Sequence, residues 1–373
     1  MERIQKNLIL KDLTKKMVFL VGPRQVGKTW LAKDIARQYK YPIYLNYDHL
    51  EDRKIIKSEN WREASDLLIF DELHKMPKWK NYLKGLYDTK PAHQQIIVTG
   101  SARLDIVRRV GDSLAGRFFL HHLMPFSPAE LRATSLADDI GRFIERGGFP
   151  EPFLTNEPIE AERWRSQYVD SLLRFDIFEL NQIENIKNMQ LIVELLRSRI
   201  GSPVSYQSIA EDLGVSPHTV KKYIQILESL YIVFRVTPFA RDIARSLRKE
   251  PKLYFYDTGL VRGDDGAKLE NFVAICLLKH VHAKNDYEGK KYALHYLRTK
   301  DGLEVDFALA NDFVIEQMIE VKQSNHNLNP ALLRFQQKYN FQAIQLVKEL
   351  RHERQAQNIA ILRVLDFLKT LQL

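Results

Sequence analysis

An unbroken apolar run, MVFLV at 17–21, leads directly into GPRQVGKT, Gly22 to Thr29, and from there into the helix-patterned WLAKDIARQY. Few local patterns restrict a fold as much. The run reads as a buried strand. The two glycines let the backbone wrap so that successive N–H groups face inward, and the following helix adds the positive end of its dipole. A loop of this kind grips an anion through main-chain amides. Lys28 supplies a point charge for β- and γ-phosphate oxygens, and Thr29 offers a hydroxyl to Mg²⁺. The expected nucleotide-binding residues are therefore Gly22, Pro23, Arg24, Gln25, Val26, Gly27, Lys28, Thr29 and Trp30, with ATP and Mg²⁺ as the expected cofactors.

From Met17 to Leu123, short β-rich runs (MVFLV, PIYLN, DLLIFD, QQIIVTG, RFFLHHL) alternate with helical segments. That alternation predicts a parallel sheet covered on both faces. Forty-two positions after Thr29, the apolar run LLIFDE ends in Asp71 and Glu72, side chains that a parallel sheet delivers to its carboxyl rim. Asp71 is expected on Mg²⁺ and Glu72 as general base for the attacking water; a plain helix cap is the alternative for the aspartate. Thr99 and Ser101 reach the same rim from QQIIVTGSAR, where turn chemistry explains Gly-Ser equally well. Arg117 in GDSLAGRFF, preceded by Arg103, Arg108 and Arg109, is the candidate arginine finger, acting within the chain or between copies; a surface arginine looks the same.

GPRQVGKT, LLIFDE, VTGSAR and SLAGRFF together resemble the bacterial and archaeal AAA-type P-loop ATPases that carry a C-terminal domain of unknown function. The resemblance continues through GGFPE, PFARDIARSLRKEPKLYFYDTGL and EVDFAL…IEVK, and so spans nearly the whole chain. It implies an ATPase core, a winged-helix segment and a restriction-endonuclease-like fold.

In IAEDLGVSPHTVKKYIQILE, a helix ends at Gly214 and Ser216-Pro217 caps the next one, a helix-turn-helix spacing. His218, Thr219, Lys221 and Lys222 on the second helix are available to DNA phosphates or base edges. A winged module used for packing or protein contacts is the other reading. The block ARDIARSLRKEPK adds Arg241, Arg245, Arg248, Lys249 and Lys252, either a phosphate-binding surface or a solvated loop.

Toward the C-terminus, a period of two places Glu304 and Asp306 on one face of LEVDFALA, and Glu320 and Lys322 on one face of IEVK. A hairpin turn at Asn311-Asp312 brings the four together. This is the D…ExK arrangement of the restriction-endonuclease-like superfamily, with Asp306 and Glu320 on a divalent metal and Lys322 beside the nucleophilic water. Val305 stands where that arrangement has proline. Glu270, on the expected helix from Lys268 to Val281, matches the acidic residue sometimes added to the set. The alternative is cross-strand ion pairing on a solvated face.

The 373 residues allow two or three domains. The expected architecture is α/β throughout, in four segments: a P-loop NTPase core at 1–127, a helical lid or connector at 128–200, a winged helix-turn-helix at 201–250 and a restriction-endonuclease-like α/β domain at 251–373. Charged residues at 28% and hydrophobic ones at 45% fit a folded soluble chain, and the net charge of +9 favours polyanionic partners. No run reaches the ~18 apolar residues of a membrane span. The single Cys276, expected in the core, excludes an internal disulfide framework and fits the cytoplasm. His121-His122 and His280-x-His282 lack metal-ligand companions. The expected function is ATP hydrolysis coupled to a nucleic-acid or protein partner; the alternative is a metal-dependent nuclease or DNA-binding regulator with ATP as regulatory ligand. Monomer, dimer and ring all stay open.

Overall fold

The computed structural model describes residues 3–61, 65–100, 114–176, 186–240, 250–299, 301–324 and 327–373. The chain divides into two compact units, Met1–Met124 and Pro125–Leu373. The expected segments 128–200, 201–250 and 251–373 all fall in the second.

The first unit contains α1 (Lys6–Leu13), β1 (Met17–Val21), α2 (Lys28–Ala36), β2 (Pro42–Asn46), α3 (Leu50–Ser58), β3 (Leu67–Asp71), α4 (Trp79–Thr89), β4 (Gln95–Thr99) and β5 (Phe118–His122). Its strands form one parallel sheet in the order β5-β1-β4-β3-β2. Every residue of β1 and β3 is buried, as expected of parallel strands covered on both faces. Phe19, Phe70, Val98, Leu83 and Leu86 belong to one core cluster. Because Leu20 and Asp71 both register with Thr99, the loops after β1, β3 and β4 open onto the same rim. That rim adjoins the place where strand order reverses, the usual ligand position in open α/β sheets.

The second unit begins with helices α5 (Pro128–Leu131), α6 (Ile140–Arg146), α7 (Pro150–Leu154), α8 (Pro158–Ser171) and α9 (Ile186–Arg197). Next come α10 (Tyr206–Leu213) and α11 (Pro217–Ser229). Gly214 in the left-handed region ends α10, and the Ser216 hydroxyl caps α11 by accepting from the Thr219 amide at 3.1 Å. The remaining elements are β6 (Val233–Pro238), β7 (Lys252–Phe255), α12 (Asp265–Glu288), β8 (Tyr292–Arg298), β9 (Glu304–Asn311), β10 (Val314–Lys322), α13 (Pro330–Tyr339), β11 (Gln342–Val347), β12 (Arg354–Ala356), β13 (Ile359–Arg363) and α14 (Val364–Thr370).

Eight strands of this unit form one mixed sheet in the order β12-β13-β11-β10-β9-β8-β6-β7. The hairpin β6–β7 is antiparallel, with Val236 opposite Lys252, and β6 then pairs in parallel with β8, Thr237 beside His295. The sheet therefore takes its last two strands from upstream of α12.

Two buried ion pairs brace the helices. Arg165 Nε donates to Asp257 Oδ2 at 2.8 Å, with side chains 3% and 1% exposed. Lys279 pairs with Glu130 and donates to the Pro125 carbonyl at 2.9 Å. Gly147 packs on the Asp257 carboxylate and Gly259 on the Arg165 guanidinium, so closely that a Cβ at either would collide.

Helix α12 is longer than the expected Lys268–Val281. It is buried on nearly every side and lacks a one-faced period to mark its ends. Cys276 lies within it, 2% exposed, and burial pushes its thiol up to about 12. At pH 8 the thiolate, the reactive form, is then about one part in 10⁴. The folded protein is expected to resist maleimide at pH 8 and to be labelled once unfolded in urea. Stoichiometric labelling of the folded chain within minutes would contradict this placement.

Candidate nucleotide site

Backbone geometry builds the first part of the site. Gly22 has φ 140°, Gln25 φ 60° and Gly27 φ 93°, so the chain after β1 curls back on itself before α2 begins. A Cβ at Gly22 would strike the Leu123 carbonyl oxygen, so only glycine fits there. Gly27 caps α2 without a side chain, and the first-turn amides are the donors an incoming anion meets. Lys28, 8% exposed, lies across the loop, its Nζ donating to the carbonyls of Gly22 at 2.9 Å and Pro23 at 2.5 Å. Val26 is buried, and its carbonyl accepts from Arg3, which also donates to the Met124 carbonyl at 3.2 Å. Arg3 thus props the loop from behind, at a distance along the chain that no local pattern signals.

Asp71 is the hub of the rim. Its Oδ2 accepts from Thr29 Oγ1 at 2.8 Å and from the Tyr44 hydroxyl at 2.7 Å, and its Oδ1 accepts from Thr99 Oγ1 at 2.5 Å. Burial, then the Asp71 bond, raises the Tyr44 phenol well above its ordinary range, so it stays a donor. Tyr44 was not legible as a site residue; it lies mid-strand on β2, and only the register of β2 with β3 puts it there.

Glu72 follows in the left-handed region, φ 55°, with its amide donating to the Thr99 carbonyl at 3.1 Å. Its Oε2 is buried and accepts no hydrogen bond among the described residues. His74 Nε2 lies 3.6 Å from that oxygen and Lys75 Nζ 3.8 Å, while Lys75 also pairs with Asp48 at 2.6 Å. Burial and then the Asp71 charge raise the Glu72 pKa; Lys75, Arg24 and Lys28 oppose the rise. The arrangement holds a carboxylate of increased basicity beside a hydroxyl–carboxylate pair. Mg²⁺ prefers few protein oxygens and takes the rest from phosphate and water. Thr29 and Asp71 fit that need.

Other expected residues scatter. Trp30 is 46% exposed on the first turn of α2. Ser101, Arg103, Arg108 and Arg109 lie outside the described residues. Arg117 requires correction as a finger within its own chain. It precedes β5, Met17 aligns with Phe118, and the Met17 amide donates to the Arg117 carbonyl, so Arg117 sits at the amino edge of the sheet. One five-residue strand, about 16 Å, separates that edge from the rim. Its guanidinium instead grips Asp88 with two bonds, 2.8 and 3.0 Å.

In the second unit, the β9–β10 hairpin brings Asp306, Glu320 and Lys322 together with Glu270 from α12. Asp306 Oδ2 accepts from the Val321 amide at 2.9 Å, and Glu320 Oε2 accepts from the Asp306 amide at 3.3 Å. Glu320 Oε1 takes Lys322 at 2.7 Å and Asn329 at 2.5 Å. Lys252 overturns its expected place in an exposed basic block: it is fully buried, with Nζ 2.7 Å from Glu304, 3.3 Å from Glu270 and 3.6 Å from Asp306. Tyr254 donates to Glu270 at 2.6 Å. Burial and the nearby Asp306 raise Glu270 and Glu320 above the ordinary carboxylate range, while Lys252 and Lys322 oppose the rise. Among the described residues, no group of three His, Cys, Asp or Glu is placed to hold a metal ion. Asp306 and Glu320 are thus brought together across the hairpin as expected for the pair, but Glu270 does not complete a three-residue metal set with them. On α11, His218, Lys221 and Lys222 are exposed; Arg241, Arg245, Arg248 and Lys249 lie outside the described residues.

Comparison with known proteins agrees with the first unit. Residues 14–132 match the AAA domain family, residues 137–267 a domain of unknown function (DUF8612), and residues 265–367 another (DUF4143). An uncharacterized protein of Mycobacterium tuberculosis is 28% identical over 309 residues, covering 78% of this chain and 66% of that protein's length. An uncharacterized protein of Haemophilus influenzae is 22% identical over 405 residues, covering 98% of this chain and 97% of its own. The Walker-type ATPase of Pyrococcus abyssi aligns with 69% of this chain and 94% of its own at TM-score 0.46 and 14% identity. The match to the AAA domain family falls on the first unit and its parallel sheet. Among the described residues, no helix is long and apolar enough to cross a membrane.

Proposed function

We propose that this chain binds Mg²⁺·ATP at Gly22–Thr29, hydrolyses it, and couples nucleotide state to a nucleic-acid or protein partner through its second unit. The observation that carries the reading is the Thr29 hydroxyl 2.8 Å from Asp71, on the rim that Lys28 and Glu72 share. Bound Mg²⁺ would neutralise the phosphate oxygens; Thr29 and Asp71 would hold it. Lys28 exchanges its two loop carbonyls for phosphate oxygens, the loop amides fix the phosphates in place, and Glu72 accepts a proton from the attacking water. Arg117, at the far edge, acts in this reading only on nucleotide bound by a second copy. The capped pair α10–α11 followed by the β6–β7 hairpin supports a winged-helix reading, with His218, Lys221 and Lys222 toward the partner.

The test is Mg²⁺·ATP binding and turnover by the full chain and by Lys28→Ala. Wild type is expected to release phosphate, and Lys28→Ala to lose turnover by at least about 10²-fold with weakened nucleotide affinity. A wild-type chain that neither binds nor turns over ATP with Mg²⁺ overturns the reading.

A further inference from the structure

The four carboxylates of the second unit sit where a divalent ion was expected, yet each already has its partners. Glu304 takes Lys252 at 2.7 Å and Arg298 at 3.5 Å; Glu270 takes Lys252 at 3.3 Å and the Tyr254 hydroxyl at 2.6 Å. Asp306 faces Lys252 at 3.6 Å through Oδ1 and uses Oδ2 on the Val321 amide, and Glu320 takes Lys322 and Asn329. A Cβ on Gly201 would come within 2.6 Å of Glu270 Oε2, so backbone closes that side.

We infer that Lys252 is the resident cation of this cluster: its ammonium takes the place of a divalent metal, ties β7 to α12 and β9, and keeps metal out of the wild-type site. Three features carry the inference. The ammonium is fully buried within reach of three carboxylates from two different elements. Among the described residues, no group of three or more acidic, histidine or cysteine side chains is spaced for a metal. A buried charge of this kind persists only when paired, and removing one partner leaves the others uncompensated. A covalently tethered cation holds the same carboxylates without depending on ion concentration, and it also fixes the hairpin carrying it.

The consequence is specific: removing the ammonium turns a closed cluster into one that takes up divalent ions. The experiment follows thermal unfolding and Mn²⁺ water-proton relaxation of the full chain without nucleotide, for wild type, Asp306→Asn, Lys252→Met and the double variant Lys252→Met/Asp306→Asn. Wild type and Asp306→Asn are expected to respond identically to millimolar Mn²⁺, so that any response is not from this cluster. Lys252→Met is expected to melt lower than wild type, to regain most of that loss with Mn²⁺, and to lose the recovery in the double variant. A wild-type Mn²⁺ response that Asp306→Asn abolishes overturns the inference, as does a folded Lys252→Met indifferent to Mn²⁺. Should Lys252→Met not fold, the wild-type comparison with Asp306→Asn still decides. ATP turnover of the wild type, measured separately, distinguishes this outcome from failure of the nucleotide reading.

Discussion

Glu72→Gln is expected to slow ATP turnover by about 10²- to 10⁴-fold, the range for loss of a positioned general base, while Mg²⁺·ATP binds within a few-fold of wild type. The substitution keeps the size and the left-handed backbone position of Glu72 and removes only its ability to take a proton. Its Oε2 is buried and without a described hydrogen bond, whereas both oxygens of Asp71 are already taken by hydroxyls. The raised proton affinity from burial and Asp71 moves Glu72 toward the pH at which a base works best. Single-turnover phosphate release alongside equilibrium nucleotide binding separates the two effects. A loss of turnover smaller than about five-fold, or one wholly explained by weaker binding, removes Glu72 from that role.

Asp257→Ala is expected to destabilise the second unit by about 3–5 kcal/mol, the cost of leaving a buried partner charge unpaired. Arg165 is 3% exposed and cannot swing into water, because Gly259 packs on its guanidinium and Glu162 takes its other end at 2.6 Å. Asp257 also accepts from the Gly259 amide at 3.1 Å, so its loss frees a turn as well as an ion pair. For a unit of this size the melting temperature should fall by about 6–20 °C. The double replacement Arg165→Met/Asp257→Leu is expected to recover much of the loss, since a pair removed together leaves no uncompensated charge. Circular dichroism melts of the three variants check this. A drop of less than about 2 °C for Asp257→Ala would mean that the charge is relieved elsewhere.

The parallel sheet was legible because β1 and β3 are buried apolar runs, polar only at Asp71 at the end of β3, and the loops carry the side chains that rim chemistry needs. The ladder from Thr29 and Thr99 to Asp71 follows from strand order alone. Arg117 was legible in a way the linear motif concealed: a residue before a parallel strand lies at the opposite edge from residues after its neighbours. Lys252 was not legible. It sits in KEPK among charges that look solvated, and only the pairing of β7 with β6 turns it inward. Arg3 and Tyr44 reach the site from positions with no local signature, through the fold of the N-terminus and the register of β2. The ends of α12 were missed for the opposite reason, since a helix apolar on nearly every side has no stripe to count.

The β6–β7 hairpin has a consequence for any dissection of the protein. Since β6 bonds to β8 on one side and β7 on the other, α11 leads straight into strands that finish the C-terminal sheet. The helix pair and that sheet are interlocked rather than strung like beads. A fragment that starts after Pro238 leaves β8 with a bare backbone edge, and one that starts after Phe255 also removes the ammonium from beneath three acids. Shortened chains should therefore be cut at the Met124–Pro125 junction, where one compact unit gives way to the next.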